Sequence, residues 1–207
     1  MVIIMRICFL DKTDFPYSYK DQYSSKLRGA ETVLINLSKN LSKLGHEITI
    51  FNNCKEEHYQ KNYNWVHIDK ANKNNKFDIA ITNNDVRFLN KIQSNKKFVL
   101  SHSLYSVEKF IRKKQLIPYL KNRPTFLLLG TYHKNEMSPL CKLFGSKIID
   151  YGLDEIFLNS EINYESNSNQ SIFFSRQDRN LDVLIDVWKN KISSKIKDAK
   201  LLITPKK

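Results

Sequence analysis

An α/β fold, with a mostly parallel sheet and helices on both of its faces, is what this sequence predicts, and three observations predict it. Short, nearly continuous apolar runs recur along the chain, as strands buried on both faces require. Amphipathic helical stretches separate most of these runs, and β/α alternation of this kind builds parallel sheets. With 41% hydrophobic and 12% aromatic residues among 207, the composition is that of a globular chain.

The elements follow in order. Ile3 to Phe9 is the first apolar run and the first expected strand. The longer stretch Val2 to Leu10 is interrupted by Arg6, is too short to span a bilayer, and lacks the basic leader and cleavage site of a signal peptide. A polar, aromatic loop covers Asp11 to Arg28. Val33, Leu34, Leu37, Leu41 and Leu44 then share one helical face, with Gly45 where a left-handed C-cap is wanted. Further strands are expected at Glu47–Phe51, Trp65–Ile68, Phe77–Thr82, Phe98–Ser101, Thr125–Leu129 and Lys147–Asp150. Helices are expected at Asp85–Ile92, Tyr105–Gln115 and Tyr132–Leu143.

Beyond residue 158 the character changes. Asn159 to Gln170 is rich in Asn, Ser and Glu and reads as a linker. Residues 171–207 then open a second unit: strand Ser171–Phe174, helix Leu181–Asn190 and strand Lys200–Ile203. One β-α-β unit of about forty residues cannot bury a core of its own, so the expectation is an incomplete, truncated second domain.

The net charge is +13, carried mostly by lysines scattered among Asn and Ile. AT-rich codons explain such a composition; an anionic partner such as a membrane face is the other explanation. Lys96-Lys97 and Arg112-Lys113-Lys114 are the densest clusters, and neither is interleaved with aromatics as single-strand binding surfaces are, so no nucleic-acid partner is expected. Cys8, Cys54 and Cys141 are odd in number and far apart, predicting neither disulfides nor a metal site and pointing to a reducing cytoplasm.

In an open parallel sheet, ligands gather at the carboxyl ends of the strands. The first loop there leads into Arg28-Gly29-Ala30-Glu31, where a glycine admits close approach and a helix N-terminus offers unpaired N–H groups. The plain alternative is a helix start with Glu31 favoured by the dipole. His102 directly follows the strand Phe98–Ser101 and is either a ligand contact or a satisfied loop histidine. His133 has a weaker case and His46, beside Gly45, reads as structural. Ser175 to Leu181 lies between a strand and a helix, so Arg176 and Arg179 form either a diphosphate clamp or a solvated turn. The sequence contains no G-x-G-x-x-G, P-loop, G-x-S-x-G or H-E-x-x-H motif.

Taken together, Arg28-Gly29-Ala30-Glu31-Thr32-Val33-Leu34, the leucines that follow, and Leu44-Gly45-His46-Glu47-Ile48-Thr49-Ile50-Phe51 resemble the opening of retaining family 4 glycosyltransferases. Tyr151-Gly152-Leu153-Asp154-Glu155-Ile156-Phe157 resembles the segment that ends the first domain of that family. Ser171 to Ile203 resembles the start of its second domain. The resemblance implies the GT-B architecture of two Rossmann-like domains, of which the first (residues 1–158) is nearly whole. It further implies retaining sugar transfer from a nucleotide-diphosphate sugar, with no other cofactor and no metal, to a glycan or lipid-linked acceptor. Cell-surface polysaccharide or lipopolysaccharide synthesis is the family-level expectation, in the cytoplasm or peripherally at the inner face of the membrane. Gly29 would lie against donor phosphate or acceptor, His102 near the reaction centre, and Arg176 and Arg179 at the leaving diphosphate.

Arg28 stands where the family usually has a first glycine, Tyr151 where it has Asn, and Asn180 where Gly is common. The family's pair of glutamates and its nucleotide loops would lie past Lys207, so the 207-residue chain is expected to be inactive alone. The alternative is a non-catalytic Rossmann-like binding module derived from a truncated transferase.

Overall fold

The structure, a computed structural model, describes residues 3–22, 24, 27–152, 158, 169–175 and 179–204. It forms two compact units, Met1–Gly152 and Leu153–Lys207. In the first, seven strands form one parallel sheet: β1 (Arg6–Leu10), β2 (Glu47–Asn52), β3 (Tyr63–His67), β4 (Lys76–Asn83), β5 (Gln93–Leu100), β6 (Thr125–Leu128) and β7 (Ser146–Ile148). Their order is β3-β2-β1-β4-β5-β6-β7, with every pairing parallel. This is the order of a Rossmann-like sheet, in which the direction of winding reverses between β1 and β4.

Alternation along the strands feeds two cores. Ile7 and Phe9 of β1 join Ile48, Ile50, Trp65 and Ile81 on one face, packed against Leu34 and Ile35 of α1 (Gly29–Lys43). Cys8 and Leu10 join Ala80, Val99, Phe126 and Leu128 on the other. That second face is covered by α2 (Val107–Arg112) and α3 (Leu116–Asn122), which contribute Phe110 and Tyr119, and by short 3-10 turns carrying Val86, Leu89 and Cys141. The expected layering, helices on both faces of a parallel sheet, is therefore present.

The α1 terminus shows why the sequence stops the helix there. Gly45 has φ +95, its N–H donates to the Ser42 carbonyl at 2.9 Å, and the His46 N–H donates to the Leu41 carbonyl at 3.2 Å. That is the paired hydrogen-bonding of a Schellman ending, which requires a left-handed residue. His46 is buried and its Nδ1 accepts the Met5 N–H, a structural role as expected. Leu44, expected on the buried face, is the helix C-cap and is exposed; Ile35 is buried instead.

Several boundaries differ from expectation. The first strand begins at Arg6, because the paired residues of β2 and β4 start only at Glu47 and Ile79; Ile3 and Ile4 are exposed. β5 extends back to Gln93 through a polar half that backbone pairing with β4 holds in place. Asp85–Ile92 forms a 3-10 turn, Val86–Lys91, rather than an α-helix. The expected helix Tyr105–Gln115 ends at Arg112 and is followed by α3, which periodicity did not announce. Pro139 divides the stretch Tyr132–Leu143 into α4 (Thr131–Glu136) and a 3-10 turn, Pro139–Lys142.

In the second unit, β8 (Gln170–Phe173) pairs in parallel with β9 (Lys200–Ile203), connected through α5 (Leu181–Val187), which continues as a wider turn at Trp188–Ile192. Residues 153–157 and 159–168 lie outside the described residues, and Gln170, expected to end the linker, already begins β8. No helix among the described residues is long and apolar enough to cross a membrane.

Two substitutions test this account. Phe126 is fully buried and its ring meets those of Tyr105, Phe110 and Tyr119. Phe126→Ala is expected to cost about 3–5 kcal/mol in urea unfolding. Gly45→Ala meets no atom within 4 Å yet keeps φ +95, so its expected cost of about 1 kcal/mol arises from backbone conformation alone.

Candidate functional site

At the reversal between β1 and β4, polar residues replace the apolar core. Asp11 follows β1 and its N–H still continues the ladder, donating to the Phe51 carbonyl at 3.0 Å. The ladder therefore draws the carboxyl inward, and Asp11 is only 4% exposed. The Tyr17 hydroxyl donates to Asp11 Oδ2 at 2.6 Å, and Asn52 Nδ2 donates to the Tyr17 carbonyl at 2.7 Å. These bonds fold the long β1–α1 loop back over the sheet edge.

Glu31, in the first turn of α1, is also buried. Its Oε2 accepts the Arg28 N–H at 3.0 Å and its Oε1 pairs with Arg28 Nη2 at 2.9 Å. A carboxylate at this position also meets the favourable end of the helix dipole. Burial pushes the Asp11 carboxyl up from 3.8 to about 6; the Tyr17 hydrogen bond opposes the rise, the nearby Glu31 charge adds to it, and a hydrogen bond from Asn83 opposes it. Burial, with Asp11 next, holds the Tyr17 hydroxyl well above the usual phenol range.

Asn83 ends β4 and is buried, with its Oδ1 lacking a hydrogen-bond partner. Its neighbour Asn84, at φ 59, accepts the His102 N–H through Oδ1 at 2.8 Å, and its carbonyl accepts the Tyr105 hydroxyl. His102 thus stands at the carboxyl end of β5, as its sequence position predicts. Its Nδ1 meets the Tyr151 hydroxyl at 3.2 Å and the two rings stack 6.5 Å apart. Its Nε2 is buried with no partner. Burial lowers the His102 pKa; Glu31 acts against this and His133 with it. His133 Nε2 contacts the Ser103 carbonyl at 3.2 Å, bracing the same loop.

Gly29 opens α1 with an ordinary φ, and a Cβ there would meet nothing within 4 Å. Glu31, two residues beyond Gly29, opposes the lowering of the His102 pKa. The arginines belong to the other unit. Arg179 is exposed just before Asn180, whose φ of 59 is the left-handed conformation that glycine commonly fills; Arg176 lies outside the described residues. Asp11, Tyr17 and Asn83 were not singled out from the sequence. A carboxylate one residue past an apolar strand was the available signal for Asp11.

Tyr17 also walls a pocket of about 440 Å³ formed by the β1–α1 loop and residues 55–58. Phe15, Tyr19 and His58 supply its aromatic surface, with Lys20, Lys55 and Glu56 among its polar lining. This volume falls within the range of small-molecule sites, about 300–1,000 Å³.

The sequence matches no known protein family, and neither curated proteins nor solved structures yield a match.

Asp11 gives the site a measurable signature. A carboxyl raised in the folded state stabilises the protein fully below its ordinary 3.8 and loses that contribution as pH rises through about 6. Asp11→Asn keeps an acceptor for Tyr17 without the charge. Relative to wild type, this variant is expected to gain on the order of 2 kcal/mol in urea unfolding between pH 4.5 and 7.5. A difference that stays constant with pH would mean the carboxyl ionises as in water.

Proposed function

We propose that this chain is the acceptor-side domain, with the opening of the donor-side domain, of a nucleotide-sugar-dependent glycosyltransferase. One observation carries the reading: the sheet reverses between β1 and β4, and around that point gather the start of α1 at Gly29, the end of β5 at His102, and the buried polar groups of Asp11, Glu31 and Asn83. In Rossmann-like sheets ligands bind at such a reversal. The ordered motifs that resemble retaining family 4 glycosyltransferases supply the reaction class.

The chemistry of the locus favours the acceptor as the ligand of this unit. Two buried carboxyl groups oppose a diphosphate, whereas the Asp11 carboxyl, Asn83 Oδ1 and a neutral His102 Nε2 accept hydrogen bonds from sugar hydroxyls. In this reading His102 contacts the sugar near the reaction centre and Gly29 leaves room for the ligand beside the α1 backbone. Arg176 and Arg179 neutralise the departing diphosphate from the second unit. The donor is a nucleotide-diphosphate sugar and the acceptor a glycan or a lipid-linked acceptor, used in the cytoplasm or peripherally at the inner face of the membrane.

Saturation-transfer NMR with the full chain, against panels of mono- and oligosaccharides and of nucleotide sugars, tests this. At least one glycan is expected to bind, and His102→Ala to weaken it about tenfold, the scale of one lost hydrogen bond. Gly29→Ala is expected to leave thermal stability unchanged but to reduce glycan binding by filling the space beside α1. If no sugar of either panel binds, or binding is indifferent to both substitutions, the reading fails.

A further inference from the structure

The strongest unassigned surface is formed by α2 and α3. Each of these short helices buries one side, through Phe110 in α2 and Tyr119 in α3, and leaves apolar residues on the other. Leu104, Val107 and Leu120 are exposed there, as are Ile111 and Ile117, at 60% and 78%. Scattered exposed apolar residues are ordinary on protein surfaces. Here five fall within residues 104–120, and the end of α2 with the turn after it carries Arg112, Lys113 and Lys114.

Charge is as one-sided as the apolar exposure. Between Leu104 and Arg123 the chain has six lysines and arginines and a single acid, Glu108. Among the described residues no carboxylate pairs with Arg112, Lys113, Lys114 or Lys121. The turn is built in advance: the Lys114 N–H donates to the Ile111 carbonyl at 2.9 Å and the Gln115 N–H to the Phe110 carbonyl at 2.8 Å. Lys114 adopts φ 54 within it, and Gln115 Oε1 ties the turn to the body by accepting the Val86 N–H.

We propose that this surface docks the protein on a bilayer bearing anionic headgroups. Isoleucine and leucine enter the headgroup boundary while the flanking Lys and Arg stems lie along them with their charges at the phosphates, the arrangement of interfacial helices. A nucleic acid would gain from the cations but nothing from Ile111 and Ile117, and the exposed side offers no aromatic platform. A protein partner fits less well, because lysine is depleted at protein interfaces. The surface lies directly after the His102 loop in the chain, and Lys109 fastens the two by donating to Ser103 Oγ and to the Leu104 carbonyl, both at 2.8 Å. The proposal is independent of the transferase reading: glycan binding neither supports nor overturns it.

The test is co-sedimentation of the full chain with phosphatidylcholine vesicles, with and without about 30% phosphatidylserine, at fixed salt. Binding is expected to the anionic vesicles only. Arg112→Gln/Lys113→Gln/Lys114→Gln is expected to lower partitioning about a hundredfold, at roughly fivefold per cation. Ile111→Ser/Ile117→Ser is expected to lower it about tenfold or more. All five positions are exposed, and thermal melts verify folding. A control with as many charges removed elsewhere, Lys43→Gln/Lys73→Gln/Lys191→Gln, is expected to bind like wild type. Ile117→Trp alone is expected to blue-shift its emission on anionic vesicles, reporting burial of that position. The proposal is overturned if wild type does not sediment with anionic vesicles, if the control loses as much as the three-cation variant, if Ile111→Ser/Ile117→Ser binds unchanged, or if Ile117→Trp shows no shift. It is equally overturned if a single-stranded oligonucleotide or an acidic protein, and not the vesicles, is what the surface variants cease to bind.

Discussion

Strand β1 is hydrogen-bonded on both sides, to β2 and to β4, and its side chains alternate between two cores that are both closed to water. Together with β4 it flanks the point where the order of winding reverses. From Ile7 onward a strand so enclosed carries no polar side chain apart from the Cys8 thiol, yet the chain must leave it at Leu10. Because the ladder runs one bond further, to the Asp11 N–H, the first polar residue after the strand remains inside the protein. Much of the candidate site follows from that one geometric fact. A buried carboxyl has to be hydrogen-bonded, neutral, or both. Tyr17 supplies the bond and with it anchors the β1–α1 loop.

The surrounding groups respond to the same confinement. Glu31, buried at the start of α1, is held by Arg28 and raises the cost of a second negative charge at Asp11. The Asn83 and His102 side chains each keep one buried polar atom without a partner. Such orphans are uncommon, since an unmet buried donor or acceptor costs about 1–3 kcal/mol. Two of them stand at the ends of β4 and β5, beside the reversal point, while His58 Nε2, Trp65 Nε1 and Ser94 Oγ are likewise without a partner elsewhere in the unit.

The α2–α3 surface arises from a different constraint. Two helices of six and seven residues cover one face of β5 and β6, and helices so short bury only one side each. The turn between them is tied down by the buried Gln115 and leaves positions 112–114 in solvent. That they are Arg112, Lys113 and Lys114 turns a diffuse positive composition into a localised one. The same segment begins at the His102 loop, so the basic surface and the candidate site share a continuous stretch of chain.

What the sequence determined by itself was the part written in local pattern. Apolar runs marked the seven strands of the main sheet and both strands of the second unit; in the central strands of the main sheet, burial on both faces excludes polar residues from their middle stretches, whereas β7, β8 and β9 are largely exposed. Glycine at position 45 marked the end of α1, because only a left-handed residue closes it. His102 was legible as a residue just past a strand. The polar half of β5 was not, since pairing with β4 rather than apolar content makes it a strand. Nor was α3, whose seven residues are too few to show a period. The grouping of Asp11, Tyr17, Glu31, Asn83 and His102 was decided only in three dimensions. Residues from four separate segments become neighbours there because the sheet order, set by long-range pairing and the packing of two cores, carries no trace in any one segment of the sequence.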